Sequence, residues 1–214
     1  MLKESTDLHY DLFPFIKSYI YQAHKSGIPM IRAAFLEVPQ DPHTFTMSDA
    51  YFFGAEFFVA PIITAGGERS IYFPEGTKYL EYFNKTEVYE GGSTVDLQID
   101  VHYIPAFVVA GAIVPKGRIY RGNDRWTPDW SPHLDIELYP SNDVVCSRFE
   151  YYDGDTDTMV VIEMTSHGKD VVVEYGAVGL NGTLRAYVEG GIRTAPLHAA
   201  GGSARFSDVQ SLFE

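Results

Sequence analysis

Residues 27–36 of the 214-residue chain read GIPMIRAAFL, a short apolar run that opens on a glycine. Such a run directly after a helical segment predicts a buried strand. Upstream, apolar residues recur at helical spacing from about residue 4 to residue 26. Pro14 interrupts this pattern and predicts a kink or a division of the helix, and Gly27 predicts its end. Downstream, residues 49–53 predict one helical turn and EFFVAPI at residues 56–62 predicts a second buried strand. This order of elements is typical of an α/β unit.

The pattern changes after the Gly66-Gly67 pair, where short strand-like stretches alternate with turn residues. The stretches between residues 70 and 114 predict an antiparallel sandwich. Those between residues 134 and 188 alternate apolar and polar side chains and predict a second, smaller antiparallel sandwich. Residues 121–133 are polar and irregular, as in a linker. We therefore predict a mainly β chain.

The first 65 residues contain too few elements to form a domain of their own. One amphipathic helix and two buried strands cannot close a parallel sheet, because the faces of such a sheet need many more covering elements. We expect this segment to be the end of a larger α/β domain.

The amino-acid composition limits the classes of binding partner. Acidic residues outnumber basic ones by 29 to 16, which gives a formal net charge of -13. A field of this sign repels phosphate backbones and anionic lipids, so nucleic acid and membrane are not expected partners. The single cysteine, Cys146, excludes an internal disulfide and a thiolate zinc site. The location stays unknown, either secreted or cytoplasmic, and the polar N-terminus does not resemble a signal peptide.

Few residues suggest a catalytic or ligand-binding role. Asp41 and Asp49 lie near the loop after the first strand. Pairs of carboxylates act in glycoside hydrolysis, but aspartates in such loops also cap turns. Trp126 and Trp130 could stack on a sugar ring or pack between domains. YDGDTD at residues 152–157 resembles half of a calcium loop, but the flanking strands favour a hairpin turn. No phosphate-binding loop occurs and no histidines pair at metal spacing, so we expect no cofactor and no metal.

An ordered series of motifs resembles the C-terminal part of glycoside hydrolase family 31, which contains α-glucosidases and α-xylosidases. The matching stretches are LFPFIKSY at 12–19, GIPMIR at 27–32, PQD at 39–41, GAEFFVAPI at 54–62, IYFPEG at 71–76, YEGG at 89–92 and IPAFVVAGAIVP at 104–115. The resemblance implies three domains: the C-terminal end of a (β/α)8 barrel catalytic domain at 1–65, a proximal β-sandwich at 66–133 and a distal β-sandwich at 134–214.

The resemblance also implies a function. The chain would be the C-terminal portion of a retaining α-glycosidase that hydrolyses terminal α-linked glucose or xylose, supplying barrel closure and scaffold. The family's catalytic aspartates would lie upstream of Met1, so the chain alone is expected to be inactive. Asp41 and His43 would lie on a substrate-facing barrel loop. Expected partners are an α-linked oligosaccharide and the missing barrel portion.

Two alternatives to that function stay open. In one, the chain is a carbohydrate-binding or protein-interaction module without catalysis, with Trp126 and Trp130 as candidate contacts. In the other it is a remnant without a selected role, which predicts uncovered apolar faces at Leu12–Ile20 and Ile28–Leu36 and poor solubility.

Overall fold

The computed structural model describes residues 2–100, 102–119 and 131–213. Helices lie near the N-terminus: α1 (Leu2–Asp11), α2 (Phe13–Ser26), the short α3 (Ala34–Glu37) and a 3-10 helix at Pro42–Phe45. The strands are β1 (Ile31–Ala33), β2 (Tyr51–Phe53), β3 (Phe57–Val59), β4 (Glu68–Phe73), β5 (Lys78–Glu81), β6 (Val88–Glu90), β7 (Ser93–Gln98), β8 (Ala106–Val109), β9 (Ile113–Lys116), β10 (Leu134–Leu138), β11 (Cys146–Asp153), β12 (Thr158–His167), β13 (Asp170–Tyr175), β14 (Gly182–Val188), β15 (Gly191–Leu197) and β16 (Gly202–Phe206). The mainly β fold class is confirmed.

The helical segment is divided where the sequence predicts it. Helix α1 ends at Asp11, and Pro14 lies in the first turn of α2, where its missing N–H costs no helical hydrogen bond. Gly27 follows α2 with φ 79°, and its N–H donates to the carbonyl of Ala23. In the described ranges, none of the helices combines the length and the apolar character needed to cross a bilayer.

The first half of the chain folds around one six-stranded sheet. Its strands run in the order β1-β2-β3-β8-β5-β6, and the antiparallel pair β4–β7 packs against it. Phe58 of β3 points into the core between these two sheets, whereas its neighbours Phe57 and Val59 point to the other face, into the larger core. Both faces of β3 are buried, which explains the unbroken apolar run in its sequence.

The second half forms a sandwich of two four-stranded sheets, ordered β15-β14-β10-β9 and β11-β12-β13-β16. Pairing is antiparallel except between β10 and β14, which run parallel. Helix α2 packs on β11 and β9. Phe15 lies 5.7 Å from Phe149 of β11 between ring centroids. The buried face of α2 is therefore covered by this chain, contrary to one part of the expectation for a remnant. The other part is met, because Ile28, Ile31 and Leu36 are exposed.

Two local predictions were wrong. The strand expected over residues 28–36 spans only Ile31–Ala33, runs antiparallel to β2 and leads into α3. Residues 51–53 form β2 instead of a helical turn. The predicted boundaries at 65/66 and 133/134 each fall between strands of one sheet, since β3 pairs with β8 and β9 pairs with β10. The three-domain division stays a prediction.

Candidate functional site

Asp41 occupies the loop that connects α3 to the 3-10 helix, and its carboxylate is fully buried. The side chain caps that helix by accepting the His43 N–H at 2.9 Å. Its second oxygen accepts the Tyr72 hydroxyl at 2.9 Å and the Glu75 N–H at 3.0 Å. Burial opposes ionisation, but these hydrogen bonds together hold the pKa of Asp41 below its usual range. The carboxylate thus fastens the loop to β4 and the turn after it.

His43 is the predicted site residue that faces the outside. Its side chain is 68% exposed, and Nδ1 lies 3.2 Å from Oδ1 of Asp41. The imidazole packs at a tilt on the Tyr72 ring, with centroids 4.6 Å apart. Burial and the Asp41 carboxylate raise the pKa of Tyr72 to about 12, so this hydroxyl remains a donor. The structure brings Asp41 and His43 together, with His43 available to a ligand.

The space beside His43 is a surface cavity of about 280 Å³. Asp49 and Arg69 also line it, and they form an ion pair of 2.8 Å between Oδ2 and Nη1. Asp41 and Asp49 therefore have separate partners: Asp41 caps the 3-10 helix and Asp49 pairs with Arg69. The cavity has room for a small polar group.

The remaining sequence candidates are placed as follows. Trp126 and Trp130 lie outside the described residues. The acidic segment after Tyr152 is the turn between β11 and β12, where Asp153 accepts hydrogen bonds from the Asp155 N–H and the Thr156 hydroxyl. The hairpin interpretation is confirmed. Within the described ranges, no group of three or more His, Cys, Asp or Glu side chains could hold a metal ion.

Sequence reasoning missed a buried carboxyl group at Glu56, in the turn between β2 and β3. The Tyr19 hydroxyl donates to Oε2 at 2.7 Å, and the Ala55 N–H donates to the same oxygen at 3.1 Å. Burial raises the pKa of Glu56 to about 7 in spite of these bonds. This contact ties α2 to the six-stranded sheet. The stretch around Glu56 belongs to a recognised motif, but spacing alone does not show that its side chain is buried.

Sequence reasoning also missed the polar network around Glu137 on β10. Its carboxylate accepts the hydroxyls of Tyr139 at 2.8 Å and Tyr187 at 3.0 Å, and it pairs with the Lys116 ammonium at 3.2 Å. The Tyr82 hydroxyl, from the end of β5, reaches it at 3.4 Å. The network joins the two halves of the chain and satisfies a buried charge.

Comparisons with known proteins agree with this architecture. Residues 27–114 match the family model described as Glycosyl hydrolase family 31 C-terminal domain. Alpha-glucosidase 2 of Bacillus thermoamyloliquefaciens is 29% identical over 177 residues, which is 82% of this chain and 22% of that protein. The chain thus spans about a fifth of the length of this relative.

Solved structures show the same arrangement. A Flavobacterium johnsoniae GH31 dextranase complexed with glucose matches with a TM-score of 0.74 and 25% identity, over 86% of this chain and 24% of the dextranase chain. The GH31 alpha-xylosidase from Xanthomonas citri matches with a TM-score of 0.72 and 21% identity, over 92% of this chain and 24% of that chain. The second likeness shows the fold alone.

Proposed function

We propose that this chain, whose residues 27–114 match the glycosyl hydrolase family 31 C-terminal domain, is the C-terminal portion of a retaining α-glycosidase. The complete enzyme would hydrolyse terminal α-linked glucose or xylose. This chain would close the catalytic barrel and provide its β-sandwich scaffold, and it would be inactive alone. The alternative, a binding module that uses Trp126 and Trp130, rests on residues outside the described ranges and stays a prediction.

One observation carries the proposal: an apolar surface is exposed around β1, at one edge of the six-stranded sheet. Ile31 on this strand is 58% exposed, and Ile28, Leu36 and Phe45 nearby are also exposed. Phe45 and Phe35 stack on each other with centroids 5.8 Å apart. An edge strand with exposed apolar neighbours is typical of a surface that another domain covers. The barrel portion is the occupant that the relatives' greater length supports.

The carboxylates near this surface do not replace the missing catalytic pair. A retaining glycosidase needs two carboxyl groups about 5–5.5 Å apart, one of them protonated at the start of the reaction. The donors around Asp41 hold its pKa below its usual range, and Asp49 is occupied by its ion pair with Arg69. Both carboxylates are occupied by partners within this chain, so we assign the chemistry to carboxylates of the barrel portion. His43 would contribute from its loop as a substrate contact.

The apolar surface is tested by a matched pair of substitutions. Ile31→Thr changes the exposed edge strand β1, and Ile192→Thr changes β15, the edge of another sheet, where the isoleucine is 50% exposed. We expect the purified chain to bind a fluorescent apolar dye and to self-associate. Ile31→Thr should reduce both effects and Ile192→Thr should not. Equal effects of the two substitutions, or a chain that neither binds dye nor associates, would contradict the proposal.

The inactive state is tested by turnover. The purified 24.0 kDa chain should not release nitrophenol from aryl α-glucosides or α-xylosides, because Asp41 is buried and Asp49 is paired with Arg69. Turnover that copurifies with the chain and is lost in Asp41→Asn would overturn this part of the proposal.

A further inference from the structure

A second cavity, of about 400 Å³, lies at the opposite edge of the six-stranded sheet from β1. It is lined by residues of β5, β6, β7 and β8 and by the segments that follow β5 and β7. Its volume is within the range of small-ligand sites. Because β1 and β6 are the two outer strands of the sheet, a domain that covers β1 need not cover this cavity.

The lining combines aromatic faces with uncharged and acidic hydrogen-bonding groups. Phe83, Tyr89 and Tyr103 supply rings, and Glu87, Gln98 and Asp100 supply polar groups. Among the described residues that line the cavity, none is basic. Without a basic group, and with several carboxylates, the cavity disfavours phosphate and other anions. A neutral ligand with apolar faces and many hydroxyl groups fits this set.

The Tyr89 ring and the turn that carries Tyr103 are held in place before any ligand arrives. Tyr89 stacks on Phe73 with centroids 4.7 Å apart and meets the edge of Phe107 at 5.4 Å. The turn that carries Tyr103 is fixed by the Tyr103 N–H, which donates to the Asp100 carbonyl at 2.9 Å. A prepositioned ring and a fixed turn lose little entropy on binding.

We propose that this cavity is a binding site for a neutral oligosaccharide. The sugar ring packs on Tyr103 and Phe83, while its hydroxyls bond to Glu87, Gln98 and Asp100. A carboxylate accepts from a sugar hydroxyl, and the Gln98 amide, already oriented by its 2.8 Å bond to the Gly66 carbonyl, offers both a donor and an acceptor. The assignment does not depend on the proposed hydrolytic role, since it concerns binding by this chain itself.

The test is an NMR titration of the isotope-labelled 214-residue chain with isomaltotriose, maltotriose and, as a cationic probe, spermine. We expect saturable shifts in the backbone amides of residues 98–100 and 102–104 with at least one trisaccharide. Tyr103→Ala should weaken that binding about five-fold or more, because it removes one stacking face. Tyr103 is 59% exposed, so its replacement should leave the fold intact, and Tyr10→Ala, at an exposed tyrosine on α1, is the matched control with unchanged affinity.

Three outcomes would overturn the assignment. One is the absence of saturable shifts at the solubility limit of both trisaccharides. Another is saturable shifts that map to other parts of the chain or that survive Tyr103→Ala. The third is binding of spermine alone, which would make the cavity a cation site. A failed sugar titration leaves the barrel-closing role intact, because that role is tested separately at β1.

Discussion

Replacing Glu56 with Gln should remove a pH dependence from the stability of this chain. The Glu56 carboxyl is buried in the turn between β2 and β3, and Tyr19 of α2 donates to it at 2.7 Å. Gln keeps the size of the side chain and an oxygen that accepts this bond, but it cannot ionise. The substitution therefore isolates the titration of one buried group.

The magnitude follows from the pKa of Glu56, which burial raises from 4.5 to about 7. The native chain retains the proton over a pH range in which the unfolded chain has already released it. The free energy of unfolding therefore falls as pH rises from about 4.5 to about 7, and it is constant above that range. The difference between the two pKa values corresponds to roughly 3 kcal/mol.

The assay is urea unfolding at several pH values from 4.5 to 8, for the parent chain, for Glu56→Gln and for a control, Glu189→Gln, at an exposed turn position. Glu56→Gln should gain stability relative to the parent by roughly 3 kcal/mol across this range. The control should follow the parent. If the curves of Glu56→Gln and the parent run parallel, Glu56 is not protonated in the native state and the reasoning fails.

Two further substitutions test contacts of the fold. Gly54 has a φ of 66°, and a Cβ there would lie 2.5 Å from the Tyr19 ring and 2.6 Å from the Phe15 ring. Gly54→Ala should therefore lower the free energy of unfolding, measured by thermal unfolding, by roughly 3 kcal/mol or more. The control is Gly168→Ala, at a glycine with φ 59° and open space around it, which should lower stability by only about 1 kcal/mol. Equal losses of stability in the two variants would contradict the predicted clash at Gly54. Asp41→Asn should lower stability at pH 7 by about 1–3 kcal/mol. Folding lowers the pKa of Asp41, so the difference in stability between this variant and the parent should shrink as pH falls below about 4. A difference that persists in urea unfolding at acid pH would contradict an ionised Asp41 as the helix cap.

The helical part of the fold was predictable because its signals are local. Pro14 cannot continue a helix from α1, and Gly27 adopts the left-handed conformation that ends α2. The strand over residues 28–36 was predicted too long because a short apolar run does not show what covers it. Ile31 and Leu36 are apolar but exposed, so their apolar character does not mark a buried strand. The parallel pairing of β10 with β14 joins residues about fifty positions apart, and no local pattern encodes it.

The candidate site was predictable only in part. Asp41 was singled out for its place in a loop, and a capping role was one of the two interpretations left open. Its other partners, Tyr72 and Glu75, lie 31 and 34 residues further along the chain. Such contacts depend on the packing of β4 against the loop, and spacing within the sequence does not reveal them. The cavity near Tyr103 was missed for the same reason, since four strands and their connections build it.

The central claim is that this chain works as the C-terminal portion of a larger α-glycosidase. The most direct measurement is the size of the native product in its source, by blotting with an antibody raised against the 214-residue chain. We predict a band several times heavier than 24.0 kDa, in a fraction that hydrolyses α-glucosides or α-xylosides. A band at 24.0 kDa without a copurifying barrel subunit would contradict the claim.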